Sequence, residues 1–191
     1  KTIDNDIYGT DVTFGFHTAV DIATDAIDRL HTTANSHSRI LLCEIMGNKA
    51  GWLTLNAGIA GGADIILIPE IPYDIDKVCE SILKRSANGK NFSIVAVAEG
   101  AFDLNEAKLK KKERAKKRAE AGMTTATNRI AAQIQSKTGL EARVCVPGHM
   151  LRGGSPSAYD RILATQFGVH AAKLISQEKY GRTVAKSGGK I

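Results

Sequence analysis

The sequence predicts an α/β fold in which a parallel sheet is covered by helices on both faces. Predicted strands and helices alternate along the chain, and the strands are continuous apolar runs rather than alternating apolar and polar positions. Strands that are buried on both faces of a parallel sheet have this pattern. The apolar fraction of 43% over 191 residues is ordinary for a globular protein and allows a sizeable core.

The individual elements follow from apolar runs and from apolar residues at helical spacing. Four runs predict strands, at residues 39–45, 63–69, 92–98 and 143–146. Helical spacing predicts helices, at residues 10–33, 52–60, 76–85, 105–121, 127–138 and 158–177. Gly61 and Gly62 end the second helix, and a glycine-rich loop occupies residues 147–156. We expect Trp52 in the core, and an ion pair between Asp160 and Arg161 at a helix start.

Polar residues follow each predicted strand at its carboxyl end. In open parallel sheets, ligands bind in the crevice at this edge. The sequence therefore predicts a binding site there, built from four separate segments: Met46, Gly47 and Asn48 after the first strand, Glu70 after the second, Glu99 and Gly100 after the third, and His149 and Arg152 after the fourth.

The first six residues place Asp4 and Asp6 two positions apart in a polar turn. Two such carboxylates suit metal-assisted phosphoryl transfer, because one takes a proton from the attacking hydroxyl while the other organises Mg²⁺. The alternative is a plain polar turn. Since the chain begins inside this segment, we expect it to be part of a larger enzyme.

The net charge of +6 is concentrated in one predicted helix. Residues 108–118 hold eight basic residues and one acidic residue, a net +7, so the remainder of the chain sums to −1. A nucleic-acid-binding module is one interpretation of this helix. A solvated helix face is favoured, because no aromatic residues are interleaved for base stacking. We expect no nucleic-acid partner.

Cysteine usage and hydropathy indicate a cytoplasmic protein. Cys43, Cys79 and Cys145 lack metal-ligand spacing, and an odd count without a framework suits a reducing compartment. No apolar run approaches the roughly 20 residues of a membrane span, so we expect no membrane contact. No signal peptide is visible.

Taken together and in order, these segments resemble the phosphofructokinase family. The matching segments span nearly the whole chain: residues 2–6 (TIDND), 36–39 (SHSR), 46–47 (MG), 58–64 (GIAGGAD), 69–70 (PE), and 148–156 with 160–161 (GHMLRGGSP and DR). The charged helix after the third strand is similar to that of pyrophosphate and mixed-substrate members with longer middle regions.

The resemblance implies two interleaved α/β domains with the active site in their cleft. It assigns residues 1–10 and 150–180 to remnants of the donor-side domain, and residues 11–149 mainly to the fructose 6-phosphate domain. The glycine-rich loops that bind the donor precede the matching turn in the family. We therefore expect this chain alone to bind no donor well and to turn over little.

The resemblance also implies the activity, which is glycolytic transfer of a phosphoryl group from ATP or pyrophosphate to the 1-hydroxyl of fructose 6-phosphate. Asp4 matches the general base, Asp6 the Mg²⁺-associated carboxylate, and Thr2 the threonine beside the transferred group. Lys1 is placed with these catalytic residues, and a lysine here resembles the pyrophosphate and mixed-substrate enzymes. The implied sugar-phosphate contacts are Met46, Gly47, Asn48, Glu70, His149 and Arg152.

Arg39 and Arg143 match arginines that reach the 6-phosphate in a neighbouring subunit, which implies a homo-oligomer, a dimer or tetramer. Arginine forks and a histidine donor suit a sugar phosphate, because bidentate pairs fix orientation as well as charge. A surface salt bridge is the alternative for both arginines. For Glu70 the alternative is a helix cap or a surface group.

Asn48 stands where the family usually has arginine. An arginine there is expected near the transferring phosphate, where positive charge stabilises the transition state. The alternative function is therefore a catalytically impaired relative that binds sugar phosphate as a regulatory subunit.

Overall fold

The protein is described by a computed structural model that covers residues 2–120 and 126–191, without the side chains of Lys111 and Ala115. The predicted α/β class is confirmed. Four parallel strands form one sheet in the order β2-β3-β1-β4, with every described pairing parallel. The strands are β1 (Ile40–Ile45), β2 (Ile65–Leu67), β3 (Ser93–Ala98) and β4 (Ala142–Cys145).

Six α-helices are described in these ranges, together with two short 3-10 turns. The helices are α1 (Phe16–His37), α2 (Trp52–Ala60), α3 (Ile75–Ala87), α4 (Lys111–Glu120), α5 (Ala126–Thr138) and α6 (Ala158–Ser176). The 3-10 turns are Glu106–Lys108 and Gly148–Arg152. None of these helices is long and apolar enough to cross a membrane.

The central strands divide the core into two layers. Leu41, Cys43 and Ile45 of β1 join the cluster that contains buried residues of α1 and α2. Ile40 and Leu42 join the cluster that contains buried residues of α3 and α5. Alternate side chains of a strand point to opposite faces, so β1 is buried along its whole length. This is the three-layer arrangement that the continuous apolar runs predict.

Several predicted boundaries were wrong. The first helix begins at Phe16 rather than residue 10, because the preceding loop is held by the Asn5 side chain, whose Oδ1 accepts a hydrogen bond from Thr13 N at 2.8 Å. The edge strand β2 has only three residues of the predicted seven. The predicted helix at 105–121 is a 3-10 turn followed by α4, and residue 121 lies outside the described residues.

Two side-chain predictions were also wrong. Trp52 is 50% exposed at the start of α2 and is not a core residue. Asp160 does not pair with Arg161. It is buried and accepts hydrogen bonds from Gly15 N at 2.7 Å and Thr18 N at 2.8 Å, while Arg161 Nε donates to the Pro156 carbonyl at 2.9 Å. The buried carboxylate therefore satisfies amides at the start of α1.

Candidate functional site

The carboxyl ends of β1 and β3 are joined by one carboxylate. Glu99 follows β3, and its Oε1 accepts hydrogen bonds from Gly47 N at 3.0 Å and Asn48 N at 2.6 Å. Its own amide donates to the Ile45 carbonyl at 3.0 Å. Glu99 thus shapes the turn after β1 and places a negative charge in the crevice between the two strands.

Close backbone contacts explain the glycines at this edge. A Cβ on Gly47 would lie 2.3 Å from the Ala50 carbonyl oxygen, and one on Gly100 would lie 2.3 Å from the Asn48 carbonyl oxygen. Either substitution would force backbone atoms apart. Asn48 adopts φ 53°, a left-handed conformation that asparagine tolerates better than most residues.

The N-terminal turn places a buried carboxylate next to this crevice. Asp4 is 7% exposed, and its Oδ1 makes no hydrogen bond to any described residue. Arg152 Nη2 lies 3.8 Å from that oxygen. The turn itself is held by Thr2, whose Oγ1 accepts from Asp4 N at 3.0 Å and donates to Asp6 Oδ1 at 3.4 Å.

The environment of Asp4 raises the pKa of its carboxyl group. Burial raises the pKa of this carboxyl most, and the negative charges of Asp6 and Glu99 add to the rise. The positive charge of Arg152 and the Thr2 hydrogen bond lower it, but the net pKa lies above its ordinary value. A carboxylate with a raised pKa holds a proton more readily, which suits a general base.

The structure brings some of the predicted site residues together and leaves others apart. Asp4, Thr2, Asp6 and Arg152 lie together, and Glu99 joins them to the turn at Met46, Gly47 and Asn48. Met46 is half-buried against the core, and His149 is exposed in the 3-10 turn that contains Arg152. Lys1 lies outside the described residues.

Glu70 lies at the same edge, but its carboxylate binds a backbone amide at the start of α2. Its Oε1 accepts a hydrogen bond from Gly51 N at 2.7 Å, and Gly51 directly precedes α2. This geometry corresponds to the helix-cap alternative for Glu70. The carboxylate that reaches Asn48 N and influences Asp4 is Glu99.

Arg39 and Arg143 lie at the opposite edge of the sheet. Arg39 precedes β1 and Arg143 is the second residue of β4, so both are near the amino ends of their strands. Both bind Glu141: Arg39 Nε lies 2.6 Å from Oε2, and Arg143 Nη2 contacts Oε1. They do not join Asp4 and Arg152 of the same chain, and the salt-bridge alternative describes their contacts here.

Residues 1–175 match the family described as Phosphofructokinase. The chain belongs to the phosphofructokinase family. An ATP-dependent 6-phosphofructokinase of Spirochaeta thermophila is 56% identical over 191 residues, which are all of this chain and 52% of that protein. The chain therefore spans about half the length of this relative.

Solved phosphofructokinases share the fold. The structure of the Saccharomyces cerevisiae phosphofructokinase matches with a TM-score of 0.78 and 38% identity over 96% of this chain and 22% of that one. A pyrophosphate-dependent phosphofructokinase from Marinobacter aquaeolei matches with a TM-score of 0.73 and 26% identity over 94% of this chain and 44% of that one.

Two side chains at the carboxyl edge make contacts that the sequence of this chain did not predict. Glu99 belongs to the binding site predicted from the strand ends, but its contact with the turn after β1 was not predicted. Its position directly after the third apolar run was the available signal. Arg114 of α4 lies over the Phe102 ring at 4.0 Å from its centroid, although the helix had been expected to present a solvated face. Nothing in the local sequence distinguishes Arg114 from its basic neighbours.

The acidic residues of the N-terminal turn fit a magnesium ion that the family resemblance implies. Among the described residues, no group of three or more His, Cys, Asp or Glu side chains is placed to hold a metal. Mg²⁺ usually binds through one or two carboxylates, with water and substrate phosphates completing the shell. The exposed Asp6 supplies such a carboxylate, and the neighbouring Asp4 Oδ1 accepts no hydrogen bond from the described residues.

Proposed function

We propose that this chain forms the fructose 6-phosphate side of a 6-phosphofructokinase that acts in cytoplasmic glycolysis. The observation that carries this proposal is the buried Asp4 carboxylate, which has a raised pKa and lies between Arg152 and Glu99. The high identity to a relative named ATP-dependent 6-phosphofructokinase supports the activity and favours ATP over pyrophosphate as the donor.

Asp4 acts as the general base of the transfer. It accepts the proton of the sugar 1-hydroxyl while that oxygen forms a bond to the terminal phosphorus of the donor. The bond from phosphorus to the leaving oxygen breaks, which releases ADP, and Asp4 later returns its proton to water. Mg²⁺ bound near Asp6 would neutralise charge on the phosphates.

Neighbouring side chains position the substrate. Arg152 faces Asp4 and supplies a guanidinium for the sugar phosphate, with His149 in the same 3-10 turn as a second donor. Glu99 uses Oε1 for two backbone amides, and its Oε2 makes no hydrogen bond within the described ranges, so it is available to a sugar hydroxyl. Thr2 holds the turn, and Lys1 adds a cation before it.

The position of Arg39 and Arg143, away from Asp4 and Arg152, supports a homo-oligomeric assembly. Arg39 and Arg143 complete the phosphate site of a neighbouring subunit, in a homodimer or homotetramer, after exchanging Glu141 for the ligand. Within the chain, residues 1–10 and 150–180 belong to the donor-side domain, and residues 11–149 to the sugar-phosphate domain.

The test is formation of fructose 1,6-bisphosphate with ATP and pyrophosphate supplied separately. The 191 residues replace the matching segment of the Spirochaeta thermophila relative, so that the remaining half of that enzyme is present. Turnover with ATP is expected, and Asp4→Ser should lower kcat by a factor of about 10² to 10⁴, as for loss of a general base. A hybrid that turns over neither donor, or that keeps its rate after Asp4→Ser, contradicts the proposal.

The regulatory alternative rests on Asn48, which provides no positive charge. Replacing it in the active hybrid by Asn48→Arg discriminates between the two functions. A working site should change its kcat by less than about tenfold, whereas an impaired site should gain several orders of magnitude from the restored cation.

A further inference from the structure

A cleft of about 410 Å³ lies at the carboxyl edge of the sheet, beneath α4. We name it the α4 cleft. The turns after β1, β2 and β3 form one side of it, and side chains of α4 form the other. Its lining is Asn48, Lys49, Pro69, Glu70, Gly100, Phe102, Arg114 and Arg118. The cleft is continuous with the candidate site, because Asn48 and Gly100 flank Glu99.

The charges in the α4 cleft are not balanced. Arg118 is neutralised by the buried Glu106, with Nε lying 2.8 Å from Oε1. Lys49 and Arg114 have no ion-pair partner among the described residues. The only carboxylate in the lining is Glu70, and one of its oxygens is bound to Gly51 N. Within this lining, the unpaired cations Lys49 and Arg114 therefore outnumber the single carboxylate, while Glu99 lies just outside the lining, between Asn48 and Gly100.

The fold holds α4 in place over the cleft. Arg118 Nη2 donates to the Ala101 carbonyl at 2.8 Å and to Glu106 Oε2 at 3.1 Å, which fixes one turn of the helix to the segment after β3. Arg114 lies four residues earlier and so faces the same side. Its guanidinium rests on the Phe102 ring, a contact that orients the group and leaves its edge donors available.

We propose that Arg114 and Lys49 bind a phosphoryl group in the α4 cleft. The parallel N–H donors of a stacked, planar guanidinium can reach two oxygens of one phosphoryl group, and an adjacent ammonium adds a second charge. Arg114 and Lys49 thus place positive charge next to Asn48, whose own side chain is uncharged. The phosphoryl group comes from the phosphorylated sugar or from the phosphoryl donor. The role of Arg114 and Lys49 in phosphoryl transfer rests on the proposed function, whereas their binding of a phosphoryl group does not.

The test compares two variants of α4 that each remove one positive charge. Arg114→Gln removes the cation over Phe102. The control is Lys116→Gln, whose side chain is 78% exposed and does not line the cleft. Fructose 6-phosphate and inorganic pyrophosphate are each titrated calorimetrically into the chain and into both variants. Phe102→Leu, titrated in the same way, is a third variant that keeps the Arg114 charge but removes the ring that supports it, and thermal unfolding verifies that all three variants remain folded.

Arg114→Gln is expected to lower the affinity for at least one of the two ligands about tenfold or more, as for a lost hydrogen-bonded ion pair. Lys116→Gln should leave both affinities within about twofold, and Phe102→Leu should give an intermediate loss. The ligand that is weakened identifies the source of the phosphoryl group. Unchanged affinities in Arg114→Gln, equal losses in both α4 variants, or no binding of either ligand to the unmodified chain would overturn the inference. Arg114-dependent binding of pyrophosphate without any binding of fructose 6-phosphate would contradict the proposed function alone.

Discussion

Asp4, the proposed general base, combines burial with a raised pKa. Both properties come from the position of the carboxylate rather than from its immediate neighbours in sequence. Burial is the largest cause of the raised pKa, and Glu99 contributes from the other side of the crevice. The same features make the ionised Asp4 unfavourable for the folded state, so function and stability oppose each other at this residue.

Asp4→Asn is therefore expected to stabilise the chain at pH 7. The folded pKa of Asp4 is raised above the unfolded value of about 3.8, so the folded state binds the proton more tightly. As the pH rises from the unfolded pKa through the folded pKa, ionisation of Asp4 lowers the free energy of unfolding. Asparagine cannot ionise, so Asp4→Asn avoids this loss of stability. The gain should be roughly 1 kcal/mol or less, since one pKa unit corresponds to about 1.4 kcal/mol.

Chemical denaturation of both proteins at pH 4 and pH 7 measures the effect. The difference between them should be larger at pH 7. A variant that is less stable than the parent at pH 7 would show that the Arg152 contact outweighs the burial of Asp4.

Sequence reasoning located Asp4, Asp6 and Arg152 because each belongs to a short segment with a recognisable pattern. It did not separate Glu99 from Glu70, because both directly follow apolar strands. Only the strand order, in which β3 lies next to β1, brings Glu99 to the Gly47 and Asn48 amides. A long-range contact of this kind leaves no local signal.

At the scale of elements, Asp160 joins the starts of two helices. It lies in the first turn of α6, where Ser157 is the N-cap, and it accepts hydrogen bonds from Gly15 N and Thr18 N at the start of α1. Anionic side chains are favourable at helix N-termini, where backbone amides lack partners. One carboxylate thus fixes α6 against α1.

Asp160→Asn is expected to destabilise the chain by about 2–3 kcal/mol, because an amide group replaces one acceptor oxygen among several N–H and O–H donors. Burial tends to raise the pKa of Asp160, but hydrogen bonds from Thr18, Gly15 and Ser157 outweigh it and lower the pKa. Its stabilisation is therefore present above about pH 3.8 and is lost as the pH falls through the lower folded pKa.

Thermal unfolding at pH 7, with the exposed Asp21→Asn on α1 as control, measures the cost. Asp21→Asn should stay within about 0.5 kcal/mol of the parent, as is usual for surface substitutions. Equal effects of the two substitutions would mean that Asp160 does not join the helices.

The helix α4 depends on a buried acidic residue that precedes it. Glu106 is 7% exposed and binds Arg118 and Arg129, and Arg129 also donates to the Tyr73 hydroxyl at 3.0 Å. Burial tends to raise the pKa of Glu106, but the two arginines outweigh it and lower the pKa. Residues on α4, α5 and the segment after β3 are held together at this point.

Glu106→Gln should destabilise the chain by about 3 kcal/mol, because it leaves the partly buried Arg118 without its counter-charge and Arg129 with only Asp103, at 3.5 Å. Amide hydrogen exchange in α4 should accelerate more than exchange in α3. Glu80→Gln, an exposed change on α3, is the control and should leave both helices unchanged. Unaltered protection of α4 in Glu106→Gln would show that other contacts hold the helix.

The order and type of the helices and strands were predictable, because alternation and continuous apolar runs reflect burial on both faces of the sheet. The residues at which these helices and strands begin and end were less predictable. The late start of α1 depends on Asn5, which holds residue 13 in the preceding loop. The role of α4 depends on Phe102 and Glu106, which lie outside the basic run.

At the scale of the whole molecule, the sheet has a chemically distinct group at each edge. Asp4, Glu99 and Arg152 lie at the carboxyl edge, whereas Arg39 and Arg143 lie at the amino edge. The first group forms the proposed site within one chain. The second group contributes to a site only if another copy approaches, which is the assembly that the proposed function includes.

Arg143→Gln should therefore lower the affinity for fructose 6-phosphate about tenfold at chain concentrations at which oligomers form. It should have no effect on this affinity at concentrations at which the chain is monomeric. Stability should change by less than about 1 kcal/mol, because the Arg143 side chain is 64% exposed and its pairing with Glu141 is a surface salt bridge. Sedimentation velocity with parallel calorimetric titrations measures both quantities. Arg182→Gln, an exposed change beyond α6, is the control. Equal weakening at both concentrations would place Arg143 outside any shared site.

The most direct test of the account is a titration of the isotopically labelled 20.4 kDa chain with fructose 6-phosphate, followed by amide NMR shifts. The account predicts saturable shifts confined to the carboxyl edge, in residues 2–6, 46–49, 99–102 and 148–153. Glucose 6-phosphate at the same concentration should bind more weakly. Absence of saturable binding, or shifts centred on α3 and the exposed face of α6, would contradict the claim that this edge is the sugar-phosphate site.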